Sequence, residues 1–343
     1  MGDRVKKGIS GSTIKLIAII TMFIDHLAAS FVNYHLYSID TENALNSPSY
    51  EVYLAFVNAN RFEWEMYSLM RNIGRIGFPL FIFLLVEGFT HTRSVLKYAR
   101  NLLIFAIISE IPFDLALNGG VVLETHHQNV FFTLLLGLLA IWAVDFFKDR
   151  TFEKKWLWLY EVLGVLACGA VVAQLFATAM TMDIAAAFWD IASEAHGSLY
   201  EGLFGMGVVF TCSFVAAVIG MIIYIVKMIS LKDRNKRIAR GIYTLAIFLA
   251  VALAEILRTD YSGWGVITIV LMYTLRTKPV KEMFTGVLSL FIMSFGEYPA
   301  FLCILPAKWY NKKRGMNLKY FFYAFYPGHL LILYLLCVIS GVI

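Results

Sequence analysis

The chain has 343 residues, 59% of them hydrophobic and only 15% charged, with a net charge of +5. A composition this apolar, gathered into long runs with few charges, excludes an ordinary soluble domain and points to a membrane. The excess of cations is no signature of nucleic-acid binding, because it is confined to short segments between the apolar runs.

In chain order, windows of about 20 mostly apolar residues predict spans over 14–34, 73–90, 101–117, 130–147, 156–179, 203–226, 241–257, 263–276, 282–306 and 320–342. The expected fold is therefore all-α: a polytopic membrane helical bundle of about ten segments, forming one domain over residues 1–343. The basic start of the chain and the small residues of "LAAS" also fit a cleavable signal peptide. The many spans that follow make a retained first helix the expected arrangement. Cys168, Cys212, Cys303 and Cys337 all fall within apolar spans without paired spacing, so they read as small buried hydrophobes.

Twenty-five of the 29 lysines and arginines sit at 4–15, 93–100, 148–155, 227–240, 276–281 and 308–319. The positive-inside rule places these segments and the amino terminus in the cytoplasm, and the loops 36–70, 118–129 and 180–202 outside. A single span over 282–306 conflicts with this, since it would put the basic stretch "KWYNKKRGMNLK" outside. A short re-entrant hairpin turning at "GEYP" (296–299) keeps that stretch inside, provided the hairpin is buried in protein.

Subtraction leaves four cations, all arginines: Arg61, Arg71, Arg75 and Arg258. Arg71 and Arg75 are spaced to share one helix face at the outer end of the second span, and so are Glu255 and Arg258 at the outer end of the seventh. Guanidinium groups there can clamp a carboxylate or phosphate, or simply form structural ion pairs. Glu110 and Asp114 share a face of the third span beside Pro112, and Glu87 lies near the inner end of the second. Asp25 and His26 interrupt the first span, with His26 near or beyond the midplane. Ionisable groups at such depth are expected to face a cavity or one another, so these helices predict one polar chamber.

Adjacent helical residues point about 100° apart, so Asp25 cannot orient its neighbour's ring. A carboxylate for His26 is expected from another helix, with Glu110 or Asp114 as candidates. So held, the imidazole can serve as a general base; the alternative is a hydrogen-bonded packing histidine. His126 and His127 are adjacent in an outer loop, and no metal-binding or nucleotide-binding motif occurs, so no metal is expected.

"IKLIAIITMFIDHLAA", "RIGFPLFIFLLVEGFTHTR", "YARNLLIFAIISEIPFDLAL", "NVFFTLLLGLLAI" and "LKYFFYAFYPGHLLIL" together resemble the TraX family, in the same order. More remotely, "RIGFPLFIFLLVEG" is similar to the arginine-containing second segment of the type 3 membrane acyltransferases. The resemblance implies a bacterial plasma-membrane acetyltransferase that moves an acetyl group from cytoplasmic acetyl-CoA to an acceptor at the outer face. The founding TraX member is associated with amino-terminal acetylation of conjugative pilin. Here the acceptor could be a peptide amine, a glycan hydroxyl or a lipid. His26 matches the family's first-helix histidine and Arg75 its arginine, while Glu87 stands where the type 3 enzymes often carry a further histidine.

On this reading His26, Arg75, Glu110 and Asp114 are the candidate catalytic residues, and Asp25, Glu87, Glu255 and Arg258 the candidate substrate-binding ones. Lys312, Lys313 and Arg314, beside Trp309 and Tyr310, are the candidate site for the phosphates and adenine of acetyl-CoA. The same intramembrane charges could instead line the path of a transporter or channel, or act as interhelical glue.

Overall fold

A computed structural model of the chain describes residues 8–47, 50–181, 198–316 and 319–343. Among the described residues the protein is all-helical, with two isolated β-bridges and no strand. Helix α1 (Gly11–Leu27) begins at Ser10, whose hydroxyl oxygen accepts from the Thr13 amide and caps the helix. It passes through one π-helical turn, Ala28–Val32, into α2 (Asn33–Ile39). Helices α3 (Tyr50–Ala59) and α4 (Arg61–Gly74) follow, and then α5 (Gly77–His91) and α6 (Val95–Leu117). The second half comprises α7 (Val130–Phe147), α8 (Leu159–Thr181), α9 (Ser198–Ile229), α10 (Arg234–Ile256), α11 (Ser262–Thr274) and α12 (Pro279–Met293). A 3₁₀ segment, Phe295–Cys303, then leads into α13 (Ile304–Trp309) and α14 (Lys319–Ile339).

Among the described residues, seven helical stretches are long and apolar enough to cross a bilayer, namely Gly11–Ile39, Arg61–His91, Val130–Phe147, Trp156–Met180, Phe210–Ile229, Arg234–Ile256 and Phe321–Ile339. The expected ten are reduced for identifiable reasons. The segment expected over 101–117 belongs to α6, which is long but carries Lys97, Arg100, Glu110 and Asp114. Helices α11 and α12, of 13 and 15 residues, reach only about 20–22 Å against a hydrocarbon core of about 30 Å. The outer loop expected over 180–202 lies largely outside the described residues.

The segment 282–306 doubles back. Helix α12 stops at Ser294, whose hydroxyl accepts from the Gly296 amide and starts the 3₁₀ segment. That segment returns along α12, with Phe291 in ring contact with both Phe295 and Phe301. Such irregular backbone needs burial in protein, and Glu297, Pro299, Ala300 and Cys303 are buried accordingly. Helix α13 then delivers the basic loop to the start of α1. Carbonyls of Trp309, Lys313 and Arg314 accept from the amides of Ile9, Gly11 and Ser12 at 2.9, 2.8 and 2.9 Å. Helix α1 thus has its first orphan donors satisfied, and residues 309–316 lie at the same end of the bundle as its amino terminus.

The packed centre is built from Leu80, Phe83, Leu138, Ile269, Met272 and Met283, all fully buried, contributed by α5, α7, α11 and α12. Helices α8 and α10 approach backbone to backbone, because a Cβ on Gly164 would sit 2.6 Å from the Gly241 Cα. Small residues permit this close crossing, as is usual where dispersion and not hydrophobicity drives helix association. Replacing Gly241 by leucine should force α8 and α10 apart and cost about 1–3 kcal/mol or more. A fall in the midpoint of reversible denaturant unfolding in detergent checks this. On the topology, a cysteine placed at Met316, which is 66% exposed, in a cysteine-free variant should resist an impermeant thiol reagent applied to intact cells. It should react once the cells are opened, and labelling from outside would exclude a cytoplasmic position for this loop.

Candidate active site

Asp25 and Arg71 form an ion pair at 2.8 Å, linking α1 to α4. Gly74, one turn further along α4, makes it possible: any Cβ there would collide with the Asp25 side chain. Arg75 caps α4 and pairs with Glu297 of the returning 3₁₀ segment at 3.0 Å. Glu297 is 3% exposed, and only one of its two oxygens accepts a hydrogen bond. Sequence reasoning left Glu297 out, although it stands within the "GEYP" turn and is the acid that answers Arg75.

Both arginines line a cavity of about 500 Å³. Across it stand His126 and His127, the loop Arg258–Ser262, and Ser294, Gly296 and Glu297. The loop is held in an uncommon conformation, with positive φ at Arg258, Tyr261 and Ser262. Such strain persists only where the surroundings over-determine it. Here Tyr261 stacks on Phe78 at 3.7 Å, the Gln128 amide donates to the Arg258 carbonyl, and the Asp260 amide donates to the Gln128 carbonyl. Thr133 donates to the Asp260 carbonyl through a short contact.

His26 follows a different plan from the expected one. Its Nδ1 lies 2.7 Å from Nε2 of His329, the rings stacked 5° from parallel with centroids 5.0 Å apart. Nδ1 of His329 lies 2.8 Å from the Phe325 carbonyl, which can only accept. A neutral His329 therefore carries its hydrogen on Nδ1 and presents Nε2 as an acceptor. His26 must then donate through Nδ1, which leaves its Nε2 as the basic nitrogen. Two neutral rings and a carbonyl thus fix a tautomer by hydrogen-bond direction alone. Ser30 Oγ donates to the His26 carbonyl at 2.6 Å, just where the helix widens into its π turn. His329 is 3% exposed and was missed, although a histidine in the last apolar span after Pro327-Gly328 is the signal that reveals it.

The carboxylates expected beside His26 go elsewhere. Glu110 Oε2 accepts a short hydrogen bond from Asn129 Nδ2. Asp114, fully buried, accepts from Asn118 Nδ2 at 3.1 Å and the Glu124 amide at 2.8 Å. Both therefore fasten the 118–129 loop, which carries His126 and His127, instead of orienting His26. Glu255 and Arg258 do not share a helix face as expected, for Arg258 lies beyond the end of α10. Glu255 accepts from the Gly263 amide at 3.1 Å, while Arg258, exposed, donates to His126 Nδ1 at 2.8 Å.

Glu87 belongs to the opposite end, where its Oε2 accepts from the Tyr310 hydroxyl at 3.2 Å. Tyr310 also packs its ring against the edge or face of Phe83 at 5.3 Å, so it is turned inward and not offered for stacking. Trp309, Lys312, Lys313 and Arg314 are exposed there. The structure thus brings Asp25, Arg75 and Arg258 to one region with Glu110 and Asp114 behind its loop, and separates Glu87 and the basic triplet from them. Among the described residues no group of His, Cys, Asp and Glu is gathered for a metal.

His127 lies 3.9 Å from Asp260, and this carboxylate raises its pKa above the ordinary 6.5 against the opposing effect of burial. A raised folded-state pKa means that the pair's contribution is complete below about pH 6.5 and is lost as pH rises through the higher folded value. The His127 ring resonances should therefore titrate above 6.5, and Asp260→Asn should bring the midpoint down. An unchanged midpoint would show that the pair does not set it.

Among known families, the model described as TraX protein matches residues 10–197 and 203–337. The chain is also 33% identical over 138 residues to the "Probable fimbrial assembly protein FimC, serogroup H1" of Dichelobacter nodosus. That similarity covers 38% of this chain and 45% of the relative, less than half the relative's length. No solved structure matches. Because the family match runs through every helix that builds the cavity and the histidine pair, the chain belongs to the TraX protein family.

Proposed function

We propose that this protein is a bacterial plasma-membrane acetyltransferase, taking an acetyl group from cytoplasmic acetyl-CoA to an acceptor amine or hydroxyl at the outer face. One observation carries the reading: His26 is held with Nε2 as its acceptor nitrogen by a relay of His329 and the Phe325 carbonyl. Arg71, which lines the cavity, lies within electrostatic reach of the same ring. A group so oriented suits proton abstraction. The pilus-related name of the fimbrial relative supports an acceptor beyond the membrane, a surface peptide among them.

The acceptor would give its proton to His26 Nε2 as its nitrogen or oxygen attacks the thioester carbonyl. The new C–N or C–O bond forms, charge gathers on the carbonyl oxygen, and a guanidinium stabilises it, with Arg75 the candidate. The C–S bond then breaks, and the departing thiolate recovers the proton from the His26 imidazolium. His329 is a positioning residue, donating nothing to the substrate but holding the ring and its tautomer. Lys312, Lys313 and Arg314 are proposed to meet the coenzyme phosphates from the inner face, since they are exposed and lie beside the start of α1. Asp25 and Arg258 contribute to acceptor binding around the cavity.

His26→Ala should reduce acetyl transfer from labelled acetyl-CoA by about 10²–10⁴-fold while the protein still folds. His329→Ala should lower kcat with little change in KM and shift the pH–rate profile, which loss of packing alone does not do. Full turnover in a folded His26→Ala protein, or failure of the purified protein to bind acetyl-CoA, would sink the proposal.

A further inference from the structure

A second hollow lies far from the histidine pair, at the end of the bundle that carries the basic loops. It has a volume of about 360 Å³. Its walls are apolar, formed by Val162 and Val165 of α8 and by Ile225, Met228 and Ile229 of α9. Several of these side chains are open to the surroundings, Val162 at 44% and Ile229 at 75% exposure. One ion pair closes the hollow, Arg237 of α10 to Glu161 of α8 at 3.1 Å. Arg237 also donates through Nη1 to the Leu231 carbonyl at 2.9 Å, so two of its three nitrogens are engaged and the third remains for a ligand.

The stretch of chain that supplies Arg237 is strongly positive. Between Lys227 and Arg240 the sequence holds six cations and a single acid, Asp233. That acid is committed to capping α10, accepting from the Asn235 amide at 2.8 Å. Arg240 donates to the Lys227 carbonyl at 3.2 Å, a contact that orients its charge without neutralising it. Lys232 and Lys236 are exposed beside it.

An apolar slot opening between membrane helices, with Arg237 at its edge and the exposed Lys232 and Lys236 in the same stretch of chain, is complementary to one kind of molecule. We infer that this groove binds an anionic phospholipid, an acyl chain lying between α8 and α9 and the phosphate meeting Arg237, Lys232 and Lys236. Basic pockets between membrane helices on the cytoplasmic side suit such headgroups, each cation near the surface strengthening binding severalfold. A zwitterionic lipid would fill the same slot with its chain, but its own cation would meet the basic rim. The ion pair with Glu161 gives the site a fixed floor, because it holds the Arg237 guanidinium at the mouth.

The test uses full-length protein purified in mild detergent and washed free of lipid. Phosphatidylglycerol and phosphatidylcholine of identical chains are titrated separately and followed by native mass spectrometry and thermal unfolding. Phosphatidylglycerol should bind and raise the unfolding temperature, phosphatidylcholine much less, and inorganic phosphate should neither stabilise the protein nor displace the lipid. Lys232→Gln with Lys236→Gln, both exposed and safe for folding, should weaken phosphatidylglycerol binding by about fivefold per cation removed. Glu161→Gln with Arg237→Gln removes the pair without leaving a lone charge, and Val165→Phe fills the slot; each should weaken it further. The inference fails if phosphatidylcholine binds equally well, if free phosphate competes the lipid away, or if all three variants keep parental affinity.

Discussion

A charge in an apolar setting must find an opposite charge or a hydrogen-bond partner, and here that requirement decides which helices meet. Asp25 interrupts the first membrane helix and would be costly alone. Its partner is Arg71 of α4, reached because Gly74 presents no Cβ where the carboxylate lies. The next cation along, Arg75, repeats the solution with Glu297, which brings the returning 3₁₀ segment against the junction of α4 and α5. Two ion pairs thus join α1, α4 and the late hairpin at one level. Removing one partner of either would leave a largely buried charge, the more damaging change compared with replacing both.

Around this anchor, polar groups are satisfied in a way that leaves selected atoms available. His26 and His329 settle each other through two rings and a carbonyl, with no carboxylate, so the arrangement is directional without adding a buried charge. The carboxylates of α6 serve the outer loop instead. Glu110 and Asp114 bind Asn129, Asn118 and the Glu124 amide, and this loop in turn clasps the Arg258–Asp260 backbone. The positive φ values at Arg258, Tyr261 and Ser262 are maintained by those contacts and by the stacking of Tyr261 on Phe78. The strained loop, Arg71, Arg75, His126 and His127 therefore gather round one cavity.

The opposite end is organised by backbone needs. Carbonyls of the basic loop 309–316 cap the first amides of α1, so a segment rich in lysine is tied down by its main chain and its cations stay exposed. A few helices away, Arg237 of the cation-rich 227–240 stretch pairs with Glu161 at a groove whose apolar walls are partly exposed. The two ends thus differ in kind: one buries paired charge around a hollow, and the other displays exposed lysines beside main-chain contacts.

The sequence by itself determined the all-helical membrane class, because long apolar runs have no other economical way to satisfy their backbones. It also determined that His26, Arg75 and Arg258 stand out, since ionisable residues in apolar runs are visible without coordinates. It pointed as well to a turn at "GEYP" as one of two topologies, through the conflict between span length and loop charge. What it did not contain was partnership across helices. His329 and Glu297 lie 303 and 222 positions from the residues they meet, and helical spacing relates only residues three or four apart. Periodicity therefore put Glu110 and Asp114 on the right face yet could not tell a histidine from an asparagine as their target. Depth along a helix follows from counting residues, whereas azimuth and the choice of neighbour depend on how all the helices pack at once, and only the tertiary structure decides that.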